Sequence, residues 1–487
     1  MSKYINYFLH QDECLFIHPD YNNLIENYLK NFIIKNKIKK IIFSDNNNNL
    51  QCECDIYNSL IHYVPTNYNS EFYYYHYRNN TYIQNAKNKR SIFNLDIDLY
   101  SLVEIDEIKF GHSFNKSVSN KLPLKLRILL FGDDFNQSVS NLPNTLIFVK
   151  FGYSFNSSID MLPKTIKTLE LGKKFNQCIN NLPFELEKLI LSYDFNYNLV
   201  DILPQNLKYI KFGYKFTNKK ITPFPNTLEE LVMGENFNTC IDNLPESIEK
   251  ITFGENFDYE IKNLPNKITE LIFGSNSNFN NLILKYPDEL KKLTFGYYYN
   301  KSINNLNNIL EELIFGKKFN CTVDNLPPEI KKLIFGGNFN HPVDNLPNKI
   351  EYIEFGTMFN KSVDNLPSGI KKLIFGENFN HPVDNLPNKI EYIEFGNIFN
   401  QSINCLPNSI KIININGLGK QLYFDKQIHN VPKSLELIIF ENHISKSVEF
   451  KKKIFGNNIN NYNYFEVIYN NKIIKINICE IKKKYYC

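Results

Sequence analysis

The sequence predicts a repeat solenoid of mainly β structure, built by stacking repeats of about 20 residues. A Phe-Asn pair, or a close variant of it, occurs fifteen times between Phe114 and Phe399 at that spacing. Fourteen of the 19 glycines directly follow a short apolar triplet, and fifteen of the 21 prolines stand at the start of a repeat. Because a repeat of this size cannot bury a core alone, neighbouring repeats must share one.

Each repeat contains one short strand whose side chains alternate between core and solvent. In the triplet Leu333-Ile334-Phe335, the first and third residues should face inward and the second outward. Apolar residues that flank the triplet extend the same inward layer. We expect this layer to comprise Ile330, Leu333, Phe335, Phe339, Val343 and Leu346.

The segments between strands are too short for helices. Gly336 predicts a tight bend with a positive φ where the chain leaves the strand. Pro347 keeps the chain extended before the next strand and disfavours helix. Residues 340–345 are too few for a stable helix. The predicted architecture is a parallel sheet on one face of the stack and short non-helical returns on the other.

Charged residues beside the strands alternate in sign from one repeat to the next. Because stacked strands lie about 4.8 Å apart, this alternation would place opposite charges side by side. Residues 331–356 recur at 371–396 with one change, so block duplication could have copied an accidental pattern in the later series. Duplication does not explain the earlier series. We therefore interpret both charge series as evidence that successive repeats stack in register. The two series are Lys167, Glu187, Lys208 and Glu229, and Glu311, Lys331, Glu351, Lys371, Glu391 and Lys411.

The chain divides into three predicted regions. Residues 1–101 do not follow the repeat pattern as a whole and are expected to form an N-terminal α+β capping region. Residues 102–415 hold the array of about fifteen repeats. Residues 416–487 are expected to hold a degenerate last repeat and a β-rich C-terminal cap.

Both capping regions contain recognisable elements. Residues 21–32 have apolar side chains at helical spacing, and residues 39–43 have the pattern of the repeat's strand. A helix and a strand at this end would cover the open edge of the sheet. In the C-terminal region, the last degenerate repeat begins at Pro432, and residues 465–469 and 473–478 are expected to be strands.

Composition and motifs exclude several classes of function. The 55 Lys and Arg against 51 Asp and Glu give a net charge of +4, which gives no support to binding of nucleic acid or of a membrane surface. No apolar run is long enough to span a membrane. No secretory signal is recognised, and nine scattered cysteines fit reduced thiols, so we expect a cytoplasmic protein. The sequence has no nucleotide-binding, kinase, hydrolase or zinc-protease motif, so we expect neither catalysis nor a cofactor.

A metal site was considered where histidine and aspartate recur together. His341 and His381 stand near Asp344 and Asp384, and an Asp occupies this position in four successive repeats. Metal ligation needs several donors at fixed distances, and one carboxylate per repeat is few for calcium. We therefore interpret these residues as solvated turn residues and expect no metal.

The repeat closely resembles FNIP repeats, which occur in long arrays in social amoebae and in large DNA viruses of amoebae. The resemblance covers residues 102–415 and is carried by segments such as Phe-Asn-Lys-Ser-Val-Asp-Asn-Leu-Pro at 359–367. The repeat also resembles the shortest leucine-rich repeats, through Leu326-Pro327, Ile330, Leu333 and Phe335. That resemblance implies a curved solenoid with a parallel sheet along its concave face. Phe-Asn stands where those repeats carry Asn-x-Leu, so the resemblance does not extend to their asparagine ladder.

The outward face of the sheet is the candidate partner surface. Isoleucine and tyrosine side chains exposed among charges favour protein binding, although β-branched and aromatic residues also suit any half-buried strand. The candidate residues are Ile314, Ile334, Tyr352, Glu354, Ile374, Tyr392 and Glu394.

The resulting functional hypothesis is a monomeric, non-enzymatic repeat scaffold that binds another protein. We expect the protein to be cytoplasmic. If the protein is viral, this is the cytoplasm of the host cell. The alternative is a substrate-recruiting adaptor for ubiquitin ligation, in which residues 1–101 would be a divergent docking module. The identity of the partner does not follow from the sequence.

Overall fold

A computed structural model describes most of the repeat array and parts of both ends. The described residues are 7–10, 14–17, 35–43, 99–100, 102, 105–217, 223–241, 243–416, 424–428, 430, 432–441, 464–469 and 472–476. The chain forms two compact units, Met1–Leu228 and Glu229–Cys487, called here the first unit and the second unit. The helix expected at residues 21–32 lies outside the described residues.

The first unit contains nine strands. They are β1 (Tyr7–His10), β2 (Cys14–Ile17), β3 (Lys40–Phe43), β4 (Glu107–Lys109), β5 (Ile128–Leu130), β6 (Phe148–Lys150), β7 (Thr168–Glu170), β8 (Lys188–Ile190) and β9 (Tyr209–Lys211). Strands β1 and β2 pair antiparallel, and from β2 to β9 each strand pairs in parallel with the next one along the chain. The strand expected at residues 39–43 is confirmed as β3, which adds directly to the edge of β4.

The second unit continues the same pattern. Its strands are β10 (Glu230–Val232), β11 (Lys250–Phe253), β12 (Glu270–Phe273), β13 (Lys292–Thr294), β14 (Glu312–Ile314), β15 (Lys332–Ile334), β16 (Tyr352–Glu354), β17 (Lys372–Ile374), β18 (Tyr392–Phe395), β19 (Ile412–Ile415), β20 (Leu437–Glu441), β21 (Tyr464–Tyr469) and β22 (Lys472–Ile476). Each strand from β10 to β20 pairs in parallel with the next. Strands β21 and β22 pair antiparallel.

The structure confirms a parallel β-solenoid with non-helical returns. Within the described part of the repeats the elements are all strands, and between them the chain runs through turns and extended backbone. The C-terminal elements also match expectation, because β20 forms the last repeat after Pro432 and β21 and β22 lie within two residues of the predicted strands. The described residues include no helix that is long and apolar enough to cross a membrane.

The core consists of the predicted inward layer, repeated along each unit. In the repeat of β15, Ile330, Leu333 and Phe339 are 0% exposed, and no residue of the layer exceeds Leu346 at 7%. Burying side chains of this size stabilises a fold by about 1.5–3 kcal/mol each. The core is therefore continuous through neighbouring repeats, as the short repeat length requires.

Two columns of aromatic rings run through this core. Within one repeat, the rings of Phe335 and Phe339 are stacked with centroids 4.0 Å apart. Between repeats, Phe339 stacks on Phe359 at 6.1 Å, and Phe335 on Phe355 at 5.3 Å. Each phenylalanine of the Phe-Asn pair therefore contacts its own repeat and the next, which explains why this position has to be aromatic.

A turn follows the strand as expected, but the positive φ expected for the repeat glycine is wrong. The φ of Gly336 lies outside the left-handed region. Instead, a Cβ on Gly336 would lie 1.7 Å from the carbonyl oxygen of Gly316, which is far inside contact distance. Gly356 approaches the oxygen of Gly336 in the same way, at 2.0 Å. Glycine recurs because successive backbones touch at this position, not because the bend needs a positive φ.

An asparagine ladder is present and is formed by the Phe-Asn pairs of successive repeats. The side-chain oxygen of each Asn in the Phe-Asn pair accepts a hydrogen bond from the backbone N–H at the same position of the next repeat. In the second unit, Asn360 N donates to Asn340 Oδ1 at 2.9 Å, and Asn380 N to Asn360 Oδ1 at 3.0 Å. In the first unit, Asn156 N donates to Asn136 Oδ1 at 2.8 Å. The Phe-Asn pair therefore joins a packing residue to a hydrogen-bonding residue.

Candidate interaction surface on the parallel sheet

The strands present two columns of side chains to solvent. In β15 the middle residue, Leu333, is buried, whereas Lys332 and Ile334 are half-buried. Because the strands pair in register, these first and third positions form continuous columns along the sheet. The residue before each strand, such as Lys331, adds a more exposed third column.

All seven residues of the predicted surface lie on this face and are half-buried. In the third-position column, Ile334 is the register partner of Glu354, and Glu354 of Ile374. In the first-position column, Tyr352 and Tyr392 flank Lys372 on either side. We call this set the second-unit surface, and its residues are Ile314, Ile334, Tyr352, Glu354, Ile374, Tyr392 and Glu394. Whether it binds a partner remains a prediction.

Tyrosine and glutamate form a repeated pair on the second-unit surface. Tyr352 Oη donates to Glu354 Oε2 at 2.8 Å, and Tyr392 Oη donates to Glu394 Oε2 at 2.6 Å. Desolvation, together with the hydrogen bond to Glu354 and its negative charge, raises the pKa of Tyr352 well above the usual range of a phenol. The Tyr352 hydroxyl is therefore protonated at neutral pH, and the hydrogen bonds from both hydroxyls hold the carboxylates in fixed positions.

Lysine lies over the tyrosine rings between these pairs. Lys372 Nζ is 5.3 Å from the ring centroid of Tyr352 and 4.8 Å from that of Tyr392. These are cation–π distances, and such contacts fix an otherwise flexible side chain. The result is an ordered patch in which isoleucine, tyrosine, lysine and glutamate alternate.

The predicted alternation brings opposite charges together in the column beside the strands, in the second unit as separate pairs between two neighbouring repeats. Lys331 Nζ lies 2.8 Å from Glu311, Lys371 Nζ 2.9 Å from Glu351, and Lys411 Nζ 2.7 Å from Glu391. In the first unit, Lys167 lies 2.9 Å and Lys208 3.7 Å from Glu187. The hydrogen bond from lysine lowers the pKa of Glu187, Glu311 and Glu391.

The first unit carries a hollow that sequence reasoning missed. This open depression, of about 510 Å³, lies on the outward face of β5 to β9. We call it the first-unit hollow, and it is lined by Ile128, Ile147, Phe148, Lys167, Thr168, Glu187, Lys188, Lys208 and Tyr209. A count of charges at outward positions would have singled it out, because lysine and arginine outnumber glutamate there.

The recurring histidine and aspartate residues have local partners. Asp344 Oδ1 accepts a hydrogen bond from Asn365 Nδ2 at 3.1 Å, and Asp364 Oδ1 accepts one from Asn385 Nδ2 at 3.2 Å. His341 Nε2 lies 2.9 Å from the carbonyl oxygen of Asn320. Within the part of the chain that the structure describes, no group of three or more His, Cys, Asp or Glu residues is placed to hold a metal ion.

Comparison with known proteins identifies the repeat. The FNIP Repeat family matches residues 155–194, 175–215, 195–236, 239–276, 319–358 and 359–398. No curated protein matches the sequence significantly. Among solved structures, YopM from Yersinia enterocolitica WA-314 is 17% identical, with a TM-score of 0.41 over 72% of this chain and 76% of its own. The functional domain of InlJ from Listeria monocytogenes is 13% identical, with a TM-score of 0.39 over 67% and 68% of the two chains.

A further solved structure is more similar. CroV588, described as a novel circular LRR protein structure, is 29% identical to this chain and has a TM-score of 0.54. The similarity covers 89% of this chain and 77% of CroV588. Together with the family matches and the stacked parallel strands, it assigns both the repeat and the fold. The chain therefore contains FNIP repeats, and its repeats stack with a leucine-rich-repeat-like fold.

Proposed function

We propose that this protein is a non-enzymatic scaffold that binds another protein through the second-unit surface. The observation that carries the proposal is the alignment of half-buried isoleucine and tyrosine side chains in two columns on an open sheet face. Ile334, Ile374 and Tyr392 offer apolar area, while Glu354 and Glu394 offer fixed hydrogen-bond acceptors. A protein surface with an apolar centre and paired charges around it is complementary to such a patch.

The form of the surface favours a protein over a small molecule. Ligand pockets are concave and bury most of their ligand, whereas the second-unit surface is spread over the five strands β14 to β18. Its charged residues are already held by tyrosine hydroxyls and by cation–π contacts. Little side-chain entropy would then be lost on binding, which favours affinity. We propose that the protein acts as a monomer in the cytoplasm, without a cofactor.

Capture of partners by two matched variants tests the proposal. Tagged full-length protein carrying Ile334→Thr and Ile374→Thr should lose a specific partner that the unaltered protein captures from its native host cells. Threonine is β-branched and keeps the strand conformation, so the change removes mainly outward apolar area.

The control applies the same substitutions away from the sheet face. Ile309 and Ile398 are 41% and 37% exposed and lie outside the outward columns. The variant Ile309→Thr with Ile398→Thr should retain the partner. Equal retention of all partners by both variants would remove the support for the second-unit surface.

The same capture addresses the ubiquitin-adaptor alternative. That hypothesis depends on residues 1–101, of which the structure describes only the segments named above, and it therefore remains a prediction. It requires a cullin-linked adaptor protein among the captured partners. Recovery of such a protein, and its loss when the docking region is altered, would replace the plain scaffold proposal.

A further inference from the structure

We propose that the first-unit hollow is a second protein-binding site, and that it takes an acidic peptide segment with an apolar or aromatic anchor. This inference goes beyond the proposed function, because it concerns a different surface and a defined class of partner. It would stand even if the second-unit surface bound nothing.

The centre of the hollow is apolar. Ile128, Ile147 and Phe148 are half-buried there, on two adjacent strand segments that pair in register. Their outward faces leave apolar area in contact with water. Covering such area with an apolar side chain yields about 25 cal/mol for each Å² removed from water. A single phenylalanine or leucine of a partner is the group that this centre would accept.

Positive charge surrounds this centre. Across the outward columns of β5 to β9 the structure places only two carboxylates, Glu170 and Glu187, against six cations. Those cations are Arg127, Lys150, Lys167, Lys188, Lys208 and Lys211.

The existing ion pairs leave much of this charge uncompensated. Glu187 is shared by Lys167 and Lys208, and Glu170 is paired with Lys150 at 2.9 Å. For Arg127 and Lys211, which are both exposed, the described residues supply no carboxylate within ion-pairing distance. A partner with several carboxylates would supply the missing negative charge.

The equivalent face of the second unit has the opposite balance. The outward columns of β14 to β18 carry six carboxylates against four lysines. Those carboxylates are Glu311, Glu312, Glu351, Glu354, Glu391 and Glu394. Of the two faces, only the outward columns of β5 to β9, which surround the first-unit hollow, carry an excess of positive charge. An acidic segment that binds the hollow would be repelled by the second-unit surface.

The hollow favours an acidic peptide over nucleic acid. The centre is lined by isoleucine and phenylalanine, which match an apolar side chain. Binding of nucleic acid also relies on a continuous basic track, and the net charge of the whole chain is only +4.

A direct binding measurement tests the proposal with a synthetic probe. The probe is a short fluorescein-labelled peptide of Asp and Glu around one central Phe, titrated with the full chain and followed by fluorescence anisotropy. We expect saturable binding that weakens as salt is raised. Absence of binding at millimolar protein would overturn the proposal. Tighter binding of a single-stranded oligothymidylate of similar length would also overturn it, in favour of nucleic acid.

Charge reversal locates the site. Arg127→Glu with Lys211→Glu breaks none of the ion pairs described, and it should weaken binding of the probe about tenfold. Lys116→Glu with Lys164→Glu makes the same change in net charge at exposed positions outside the outward columns, and it should leave binding unchanged. Equal weakening by both double variants would show an unspecific charge effect and contradict the proposal.

The apolar centre is tested separately. Phe148→Ser should remove the preference of the protein for the probe with a central Phe over the same peptide with a central Ser. Retention of that preference would contradict the assigned role of Phe148. The variant Ile334→Thr with Ile374→Thr should bind the probe normally, so failure of this inference is distinguishable from failure of the proposed function.

Discussion

The two units share their buried residues and differ in their exposed ones. Strands β5 to β9 of the first unit and β14 to β18 of the second are three residues long, except β18 with four, and all have the same parallel pairing and a buried apolar second residue. Their outward columns, however, have opposite charge balance. One set presents a basic rim around an apolar hollow, and the other presents tyrosine, isoleucine and held carboxylates.

This difference shows that the stacking of repeats constrains the buried residues and leaves the outward residues free to vary. Phe155 and Phe359 occupy equivalent positions and are both 0% exposed, because each ring has to contact the rings before and after it. Residues at the outward positions contact neighbouring repeats mainly through ion pairs and cation–π contacts. Many residue types can therefore occupy these positions. Binding specificity in such an array therefore resides in the outward columns.

The largest expected effect concerns the aromatic core, which both units share. Phe155→Ala in the first unit and Phe359→Ala in the second should each cost about 3–5 kcal/mol, because each leaves a cavity in a ring stack. Hydrogen exchange read out repeat by repeat would measure the loss, since repeat arrays open locally. A clear difference between the two variants would show that the units do not share one packing scheme.

The control for this prediction is an exposed aromatic residue. Tyr153 is 42% exposed, in the repeat that contains Phe155. The variant Tyr153→Ala should change exchange protection far less than Phe155→Ala does. Comparable losses from the two substitutions would contradict the assignment of stability to the buried column.

The next effect concerns close backbone contact, for which the chain offers a matched pair. Gly336→Ala should cost about 1–3 kcal/mol, because its Cβ would meet the backbone oxygen of Gly316 at 1.7 Å and the strands would have to separate. A Cβ on Gly337 would meet only the flexible side chain of Lys317, at 2.9 Å, and the duplicated repeat carries Glu377 at this position. Gly337→Ala should therefore leave stability nearly unchanged. Equal stability of both variants in chemical denaturation would contradict the close-contact explanation.

A smaller loss of stability is expected when an asparagine of the ladder is substituted. Asn360→Ala removes the acceptor for the N–H of Asn380 and should cost about 0.5–1.5 kcal/mol. Asn360→Asp keeps a side-chain oxygen there, and Asp258 already accepts a ladder hydrogen bond from Asn280 at 3.2 Å. The Asp variant should therefore be more stable than the Ala variant, as measured by hydrogen exchange at Asn380. The reverse order would show that the ladder does not contribute through its acceptor oxygen.

The smallest effect is the pH dependence of the charge ladder. The pKa of Glu311 is lower in the folded protein than in the unfolded chain, mainly because Lys331 donates a hydrogen bond to it. Its stabilising contribution is therefore present above the unfolded pKa of a glutamate and is lost as pH falls through the folded value. The free energy of unfolding, measured by chemical denaturation with circular dichroism, should therefore decrease as the pH is lowered through this range.

Two lysine variants isolate that contribution. Lys331→Met removes the hydrogen bond to Glu311 and should reduce the dependence of stability on acid pH. Lys389→Met is the control, because the described residues supply no ion pair to this exposed lysine. An equal change in both variants would assign the effect to net charge rather than to the ladder.

Much of the fold was predictable because a fixed period constrains it. Once the Phe-Asn pairs set a spacing of about 20 residues, the inward layer around Leu333 and the pairing of Lys331 with Glu311 followed from alternation alone. Two features did not follow. The contact of Gly336 with Gly316 and the hydrogen bond between Asn340 and Asn360 both depend on the distance between stacked backbones, which no single repeat reveals.

The candidate sites were less predictable than the fold, for a physical reason. Outward residues such as Tyr352 and Arg127 obey no packing period, so the sequence marks them only by their exposure and charge. The second-unit surface was predicted because isoleucine and tyrosine stand among charged residues at its outward positions. The first-unit hollow has no internal copy, and its basic character appears only when Arg127, Lys188 and Lys211 are placed on one face.

The most direct test of this account is quantitative capture of partners by four full-length chains from native host cells. These are the unaltered protein, Ile334→Thr with Ile374→Thr, Arg127→Glu with Lys211→Glu, and the control Ile309→Thr with Ile398→Thr. We expect the first two variants each to lose a different partner and the control variant to lose none. If all four chains capture the same proteins in equal amounts, the outward columns do not carry the function.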